Sequence, residues 1–569
     1  MTIRISTASA KKRRGFDGGT HSMSFTIDRR SLVRGGALGL GALLLPGGTA
    51  AVAQAMTARG FTHGVASGEP GPDSVLLWTR FAGGEGASVR VHAEVSETPD
   101  FGRIIGGGDT ITGAWRDWTA KIAVAGLQPG RRYFYRFTAD GQVSPVGRTR
   151  TLPVGKVAGF TLAVFSCANL GFGYFNAYAH AAARDDIDLA VHLGDYIYEY
   201  ARGIYPGERE LIAARLLAPA TECIDLADYR LRYACYRAEP DLQAVHAALP
   251  MLVSQDDHES ANDSWEGGAE NHTPASEGDW SRRRAAALQA WHEWMPVSEA
   301  PWAAYDLGDL ATFFRTDTRL VGRSQQPSIA PVLAAAEGDP VAALTAWRDG
   351  PWQDPARSMM GSEQEAWLTA ALARSVRDRK PWQVVGFGTI MGNVRTPPEV
   401  ANWLPTDAPD YVKARVKSGL AATKVGLPFN LDSWGGYPAA RARVLAAAQN
   451  AGADLVALAG DSHNGWAFEL GNAGKPAGVE FDGHSVTSPG FEGSFRSIAP
   501  AETARALVAA NTELKWVDTS RRGYMTVRLT PAAAIAEWAF LETVATRNPK
   551  VAATHRLQTR AGRRRIEPA

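Results

Sequence analysis

The sequence predicts an α/β catalytic domain preceded by a small β-sandwich, and three observations carry that reading. From about residue 158 onward, short apolar runs of strand length alternate with segments whose apolar residues recur at three- and four-residue spacing. From about 57 to 152, short alternating runs are separated by Gly, Pro and Asp turns, with no helical pattern between them. The chain has 569 residues, enough for a large catalytic domain plus one accessory module.

Residues 1–53 read as an N-terminal extension and export signal. The pair Arg29-Arg30 precedes a Gly/Ala/Leu run from Gly35 to Leu45, then Pro46 and the small-residue site Ala51-Val52-Ala53. A basic region, a short apolar region and a small-residue cleavage site make a secretory signal. The paired arginines resemble a twin-arginine signal, which implies the twin-arginine export machinery as a partner and a periplasmic or extracellular location. The apolar run is far shorter than the roughly 20 residues that span a bilayer, so no permanent membrane anchor is expected. A second basic run, Lys11 to Arg14, lies upstream, and Met1 and Met23 are both candidate starts.

In residues 57–152 the strand candidates are Val75–Trp78, Val89–Val95 and Thr119–Ala125. Tyr133 follows the turn Leu127-Gln128-Pro129-Gly130 and opens an alternating strand to Phe137. This resembles the tyrosine corner of fibronectin- and immunoglobulin-like sandwiches. The segment holds no cluster of ligands or nucleophile–base pair, so a lid or spacer role is expected.

Residues 158–545 carry the catalytic pattern. The strand candidates are Phe160–Phe165, Leu189–Leu193, Met251–Ser254, Ala311–Phe314, Val384–Phe387 and Leu455–Ala459. Helices are predicted at Phe175–Arg184, Ser281–Trp294, Ser362–Val376 and Ala439–Gln449. Stretches 325–357 and 395–432 are rich in Pro, Gly and Asp and read as surface loops. Residues 546–569 read as a basic tail.

Composition excludes some functions. Net charge is +1 with 45% apolar and 21% charged residues, so nothing global draws the chain to nucleic acid or acidic membranes. The 17 Trp are expected mainly as buried aromatics. Of three cysteines, Cys223 and Cys235 are close enough in sequence to pair in an oxidising compartment if geometry allows, leaving Cys167 alone.

Polar residues follow the strands in a pattern. They are Ser166-Cys167, then Gly194-Asp195-Tyr196-Ile197-Tyr198-Glu199, then Asp256-Asp257-His258-Glu259 with Asn262-Asp263 beyond, then Arg315 to Arg319, then Gly460-Asp461-Ser462-His463. An open α/β sheet binds ligands outside the carboxyl ends of its strands. Carboxylates suit Ca²⁺, Mg²⁺ or Mn²⁺, whereas Cys, His and Tyr suit iron or zinc, so the set reads as a mixed or multinuclear centre. So many acids in one cleft also need cations to neutralise them. Each residue has a plainer reading. Cys167 fits a buried core cysteine, Tyr198 core packing, and Asp195 or His463 a cap or ion pair. His192 fits a satisfied core histidine, and His180, His246 and His292 structural or surface positions. Arg319 either contacts substrate or pairs with Asp317. No Gly-x-Ser-x-Gly elbow is present, which argues against an α/β-hydrolase.

The Gly-Asp-x-x-Tyr, Asp-Asp-His-Glu and Gly-Asp-Ser-His segments resemble those of the PhoD-like phosphatases, within the calcineurin-like metallophosphoesterases. The likeness spans roughly residues 55 to 545 and includes the loop Asp432-Ser433-Trp434-Gly435-Gly436-Tyr437, to which no role is assigned. It implies two sheets flanked by helices. It implies iron held by Cys167, Asp195, Tyr198 and His463, and one or two calcium ions held by Asp195, Asp257, Asn262 and Asp461. Ligand types alone would also allow zinc or manganese. It implies catalytic roles for His258, facing the phosphate, and Arg319, with Asp256 as ligand or support. The expected activity is hydrolysis of small-molecule phosphomonoesters, and of diesters, by metal-activated hydroxide at alkaline pH. A phosphodiesterase or phospholipase D-like preference is the alternative within hydrolases. An exported, metal-stabilised binding protein is the alternative outside them.

Overall fold

A computed structural model describes residues 58–83, 86–408 and 410–569. The paired arginines, the apolar run, the cleavage site and both candidate starts lie outside the described residues.

Two mixed sheets form the centre. The larger has ten strands in the order Glu567–Pro568, Val551–Arg560, Ala533–Leu541, Gly523–Leu529, Phe160–Phe165, Leu189–His192, Met251–Val253, Gly60–Gly68, Ser74–Ala82 and Thr119–Ala125. The smaller has seven, in the order Ala303–Leu307, Ala311–Arg315, Trp382–Gly386, Leu455–Ala459, Lys475–Asp482, Gly465–Asn472 and Leu514–Asp518. The middle strands of each sheet run parallel. A parallel strand is covered on both faces, which is why Phe160–Phe165 and Leu455–Ala459 are continuous apolar runs, buried throughout.

The sheets face each other across one core. Leu162, Val164, Val191 and Leu252 from the larger meet Phe313, Val384, Val456 and Phe481 from the smaller. Helices Asn176–Ala182, Leu226–Arg237, Pro240–Ala248 and Trp280–Trp294 cover the outer face of the larger sheet. Gly361–Arg377, Pro438–Ala451 and Pro500–Ala510 cover that of the smaller. The predicted helices and strands fall on these elements with ends shifted by a few residues.

The N-terminal strands also form two layers, but one of them is shared. Gly60–Gly68 pairs in parallel with Met251–Val253, so the large sheet runs on into the N-terminal region. Gly68 permits this approach, because a Cβ there would sit 2.1 Å from the Pro296 carbonyl oxygen. A five-stranded sheet covers the extension, with Val65, Leu77, Val91, Tyr135 and Phe137 between them. Tyr133 is buried, and its hydroxyl accepts from the Gln128 N–H (2.8 Å) and donates to the Gln128 carbonyl (3.3 Å).

Two expectations are corrected. The basic segment 546–569 is no tail: Val551–Arg560 pairs along the whole of Ala533–Leu541, its outward positions carrying the charges that made it read as solvated. The two presumed loops contain helices, Pro340–Asp349 and Asp410–Lys424. Asp339 caps the first by accepting from the Val341 and Ala342 N–H groups, and Pro340 follows it, so residues that look like loop punctuation are a helix start. Cys223 and Cys235 are buried free thiols, and Cys235 Sγ donates to the Leu216 carbonyl at 3.3 Å. Among the described residues no helix is long and apolar enough to cross a membrane.

Candidate metal centre

The strands Phe160–Phe165, Leu189–His192, Met251–Val253, Ala311–Arg315 and Leu455–Ala459 deliver their carboxyl ends to one rim. The chain turns sharply as it leaves them. Cys167, Asp195, Asp461 and His463 all hold left-handed backbone, with φ of 59°, 54°, 59° and 62°. L-residues with side chains adopt that region at a cost, and such residues cluster where function fixes a side chain.

Three groups of donor atoms come together there, each within 4.8 Å: Cys167, Asp195 and His463; Asp195, Asp257 and His258; Asp256, Asp257 and Asp461. Asp195 and Asp257 each link two groups. In the first, the Tyr198 hydroxyl donates to Asp195 Oδ2 at 3.1 Å and lies 3.1 Å from His463 Nε2. His463 Nδ1–H donates to the Pro489 carbonyl at 2.8 Å, which leaves the Nε2 lone pair facing the group. Burial holds the His463 pKa down at about 3, so the imidazole is neutral, as a metal ligand must be.

Burial weighs on the carboxylates and on the thiol. Burial pushes Asp195 well above the ordinary range, with the charges of Asp257 and Asp256 adding to the effect against His258. Burial raises Asp461 to about 6 despite Arg319. The Cys167 thiol is pushed up by burial and by Asp195. Asp195 Oδ1 and Asp257 Oδ1 are buried without a hydrogen-bond partner. Acceptors crowded in this way, beside a thiol and a neutral imidazole, fit cations.

His258 stands over the second group. Its Nδ1 bonds Glu199 at 2.7 Å, its ring stacks on Tyr198 at 4.3 Å, and its Nε2 lies 4.0 Å from Asp257. Burial opposes its charge, but Asp257, Glu199 and Asp195 hold its pKa well above the usual range.

One expected residue sits elsewhere. The Arg319 guanidinium is wholly buried. It donates to Asp256 at 2.6 and 3.1 Å and to Asp432 at 2.5 Å, and stands 3.7 and 3.8 Å from Asp257 and Asp461. Asp317 receives only its main-chain N–H. Arg319 therefore neither faces open space nor pairs its charge with Asp317; it lies beneath the acidic groups as their counter-charge. The Asn262 amide N–H donates to Glu270 at 3.0 Å, and its main-chain N–H to Glu199 at 2.8 Å.

Sequence reading missed the supporting residues. Glu259 is fully buried and accepts from the main-chain N–H groups of Asp195 (3.2 Å), Tyr196 (2.6 Å) and Asp256 (2.8 Å), tying two ligand-bearing turns together. Glu199 anchors His258, Thr389 donates to Asp461 at 2.7 Å, and Tyr205 lies 3.1 Å from His463 Nδ1. Asp432, in the unassigned loop, binds Arg319 and Arg323. Glu199 and Glu259 were visible beside their motifs; Thr389 and Tyr205 carried no signal. The plain reading of His192 holds: it is buried in its strand, 2.9 Å from the Tyr178 hydroxyl.

Fold and site together define an α/β protein with a cation-competent acidic centre on a strand-end rim. Comparison with known proteins gives the family. The PhoD-like phosphatase family matches residues 162–538, and the PhoD-like phosphatase N-terminal domain matches 48–153. Alkaline phosphatase D of Bacillus subtilis (strain 168) is 32% identical over 498 residues, covering 83% of this chain and 76% of its own. A solved structure of PhoD superposes with a TM-score of 0.74 at 29% identity, covering 90% of this chain and 92% of its own. The chain belongs to the PhoD-like phosphatase family and is a phosphoric ester hydrolase.

Proposed function

We propose that the chain is an exported, metal-dependent phosphoesterase acting on small phosphomonoesters, and on diesters, at alkaline pH. The observation that carries this reading is the pair of orphaned, buried oxygens on Asp195 and Asp257, each shared between two groups of metal-competent side chains. Cys167, Asp195, Tyr198 and His463 would hold iron, and Asp195, Asp257, Asn262 and Asp461 one or two calcium ions. Such cations, when bound, supply Lewis-acid activation of a phosphoryl oxygen and lower the pKa of water toward about 7.

The protein's own residues do the rest. Glu199 fixes the His258 ring through Nδ1, which turns Nε2–H toward the rim. From there Nε2–H donates to a phosphoryl oxygen or protonates the leaving alkoxide. Thr389 holds Asp461, and Glu259 fixes the main chain that aims Asp195 and Asp256. Arg319 bonds Asp256 and Asp432 without occupying the open side.

The facing sheets support reading the catalytic fold as a calcineurin-like sandwich, and the Tyr133 corner supports a fibronectin-like N-terminal module. Export rests on the paired arginines and apolar run of the leader.

The test is hydrolysis of p-nitrophenyl phosphate at alkaline pH, before and after chelation. Activity should vanish with chelator and return with calcium. Turnover indifferent to chelation would sink the metal assignment. Hydrolysis of bis-p-nitrophenyl phosphate alone would move the substrate class to diesters.

A further inference from the structure

A second buried charge lies away from the rim, where the N-terminal sheet extension meets the helices over the large sheet. Arg237, the last residue of helix Leu226–Arg237, is 1% exposed. Its guanidinium lies flat on Trp78 at 4.0 Å and makes one hydrogen bond, from Nη1 to the Tyr196 hydroxyl at 3.3 Å. Its Nε and Nη2 have no partner, and it makes no ion pair among the described residues.

The other buried arginines are treated differently. Arg319 and Arg323 share Asp432, and Arg283 has Glu222 and Glu277. Arg232 bonds to five main-chain carbonyls. Arg237 has neither an acid nor a set of carbonyls.

Its surroundings offer donors. The Tyr196 hydroxyl accepts from Arg237, so its proton goes to His246 Nε2 at 2.8 Å, leaving Nδ1–H of His246 to donate. That Nδ1 is buried and unpartnered. His63 Nδ1 accepts from Thr62 (2.7 Å) and faces Arg80 (3.5 Å), so its proton sits on Nε2, on the side of the Ala234 carbonyl. Burial and the charge of Arg237 keep His246 neutral; burial, Arg80 and Arg237 do the same for His63. A buried cation with two unused N–H groups, beside the unused N–H of His246, lacks an acceptor carrying negative charge.

We propose that this junction binds a small monovalent inorganic anion, chloride in ordinary salt, as the counter-ion of Arg237. Tyr196, which follows Asp195 in the chain, links the junction to the rim, and neither Arg237 nor His246 belongs to the three ligand groups, so the anion site is distinct from the metal centre.

The test uses the intact protein. Crystals grown in bromide should show an anomalous peak beside the Arg237 guanidinium. Water alone there, or bromide confined to exposed arginines, would overturn the proposal. In solution, melting is followed in sodium chloride and in sodium gluconate at equal ionic strength. Chloride should stabilise saturably, a hundredfold excess over its Kd favouring the folded state about 100-fold. Equal melting in the two salts would also overturn it. Arg237→Gln should abolish the difference; if that variant does not fold, the bromide experiment on the wild type decides.

Discussion

The rim contains two sets of carboxylates that differ in how their charge is met. Asp256 and Asp432 are compensated from within, clasped by Arg319, with Arg323 also on Asp432. Asp195 and Asp257 lie on the other side, where Arg319 comes no closer than 3.7 Å to Asp257 and each retains an orphaned oxygen. Burial disfavours ionisation of Asp257, yet His258 and Arg319 hold its pKa below the carboxylate range, while Asp195 is raised. The difference shows how a sequence dense in acids divides its work. Arginine bonds one set directly and makes it structure. The other keeps a buried oxygen without a partner on each residue and so is open to cations.

Substitution can break that division. The largest effect is expected at Asp195, which links two ligand groups. Asp195→Asn should lose bound metal and lower kcat/KM by about 10³-fold, the rate equivalent of the several kcal/mol a bound cation supplies. Metal analysis beside kinetics checks it, and a variant that keeps either property would place Asp195 with the structural set. Arg319→Met should destabilise by about 3–5 kcal/mol in denaturant unfolding, because buried Asp256 loses its cation and Asp432 keeps only Arg323. Adding Asp256→Asn should recover part of that loss; no recovery would mean that Arg319 serves the open side instead.

Glu199→Gln should leave metal content intact and slow turnover by about 10–100-fold, as expected when a supporting partner of an active histidine is lost. Loss of metal along with rate would assign Glu199 to the ligand scaffold.

The smallest effect isolates the rule itself. Asp482 is fully buried, both its oxygens are orphaned, and it belongs to none of the three ligand groups. Burial and the charge of Glu480 raise its pKa well above the ordinary value. A carboxyl raised on folding leaves the unfolded chain holding fewer protons, so wild-type stability falls as pH rises from the unfolded pKa toward the folded one. Asp482→Asn removes that loss. Its stability gain should be near zero at about pH 4 and grow to about 1–3 kcal/mol above the folded pKa. Urea melts across that range check it, and a pH-independent difference would refute the account.

The rim was legible because its residues follow apolar runs. Phe160–Phe165 and Leu455–Ala459 are continuous, buried and bounded by turns, and what comes after such a run lies at a sheet edge. Cys167, Asp195, Asp257, His258, Asp461 and His463 were found this way, and they do converge. Arg319 was read from its place after a strand, and position does not say which way a side chain turns. Arg319 turns inward to Asp256 and Asp432. The helix starting at Pro340 was hidden because Asp and Pro punctuate loops and begin helices alike.

By itself, then, the sequence determined the alternation of strand and helix, the chemistry delivered to the strand ends and the family resemblance. These are local properties: periodicity, turn residues and side-chain type are written along the chain. Only the tertiary structure decided that the N-terminal strands join the catalytic sheet through Gly68 and that 551–560 is an edge strand. It also decided that Arg319 neutralises rather than contacts, and that Arg237 stands without an acid. Those outcomes depend on which distant groups are brought within a few ångströms in a medium that excludes water, where one unmatched charge is costly and its partner can come from anywhere in the chain.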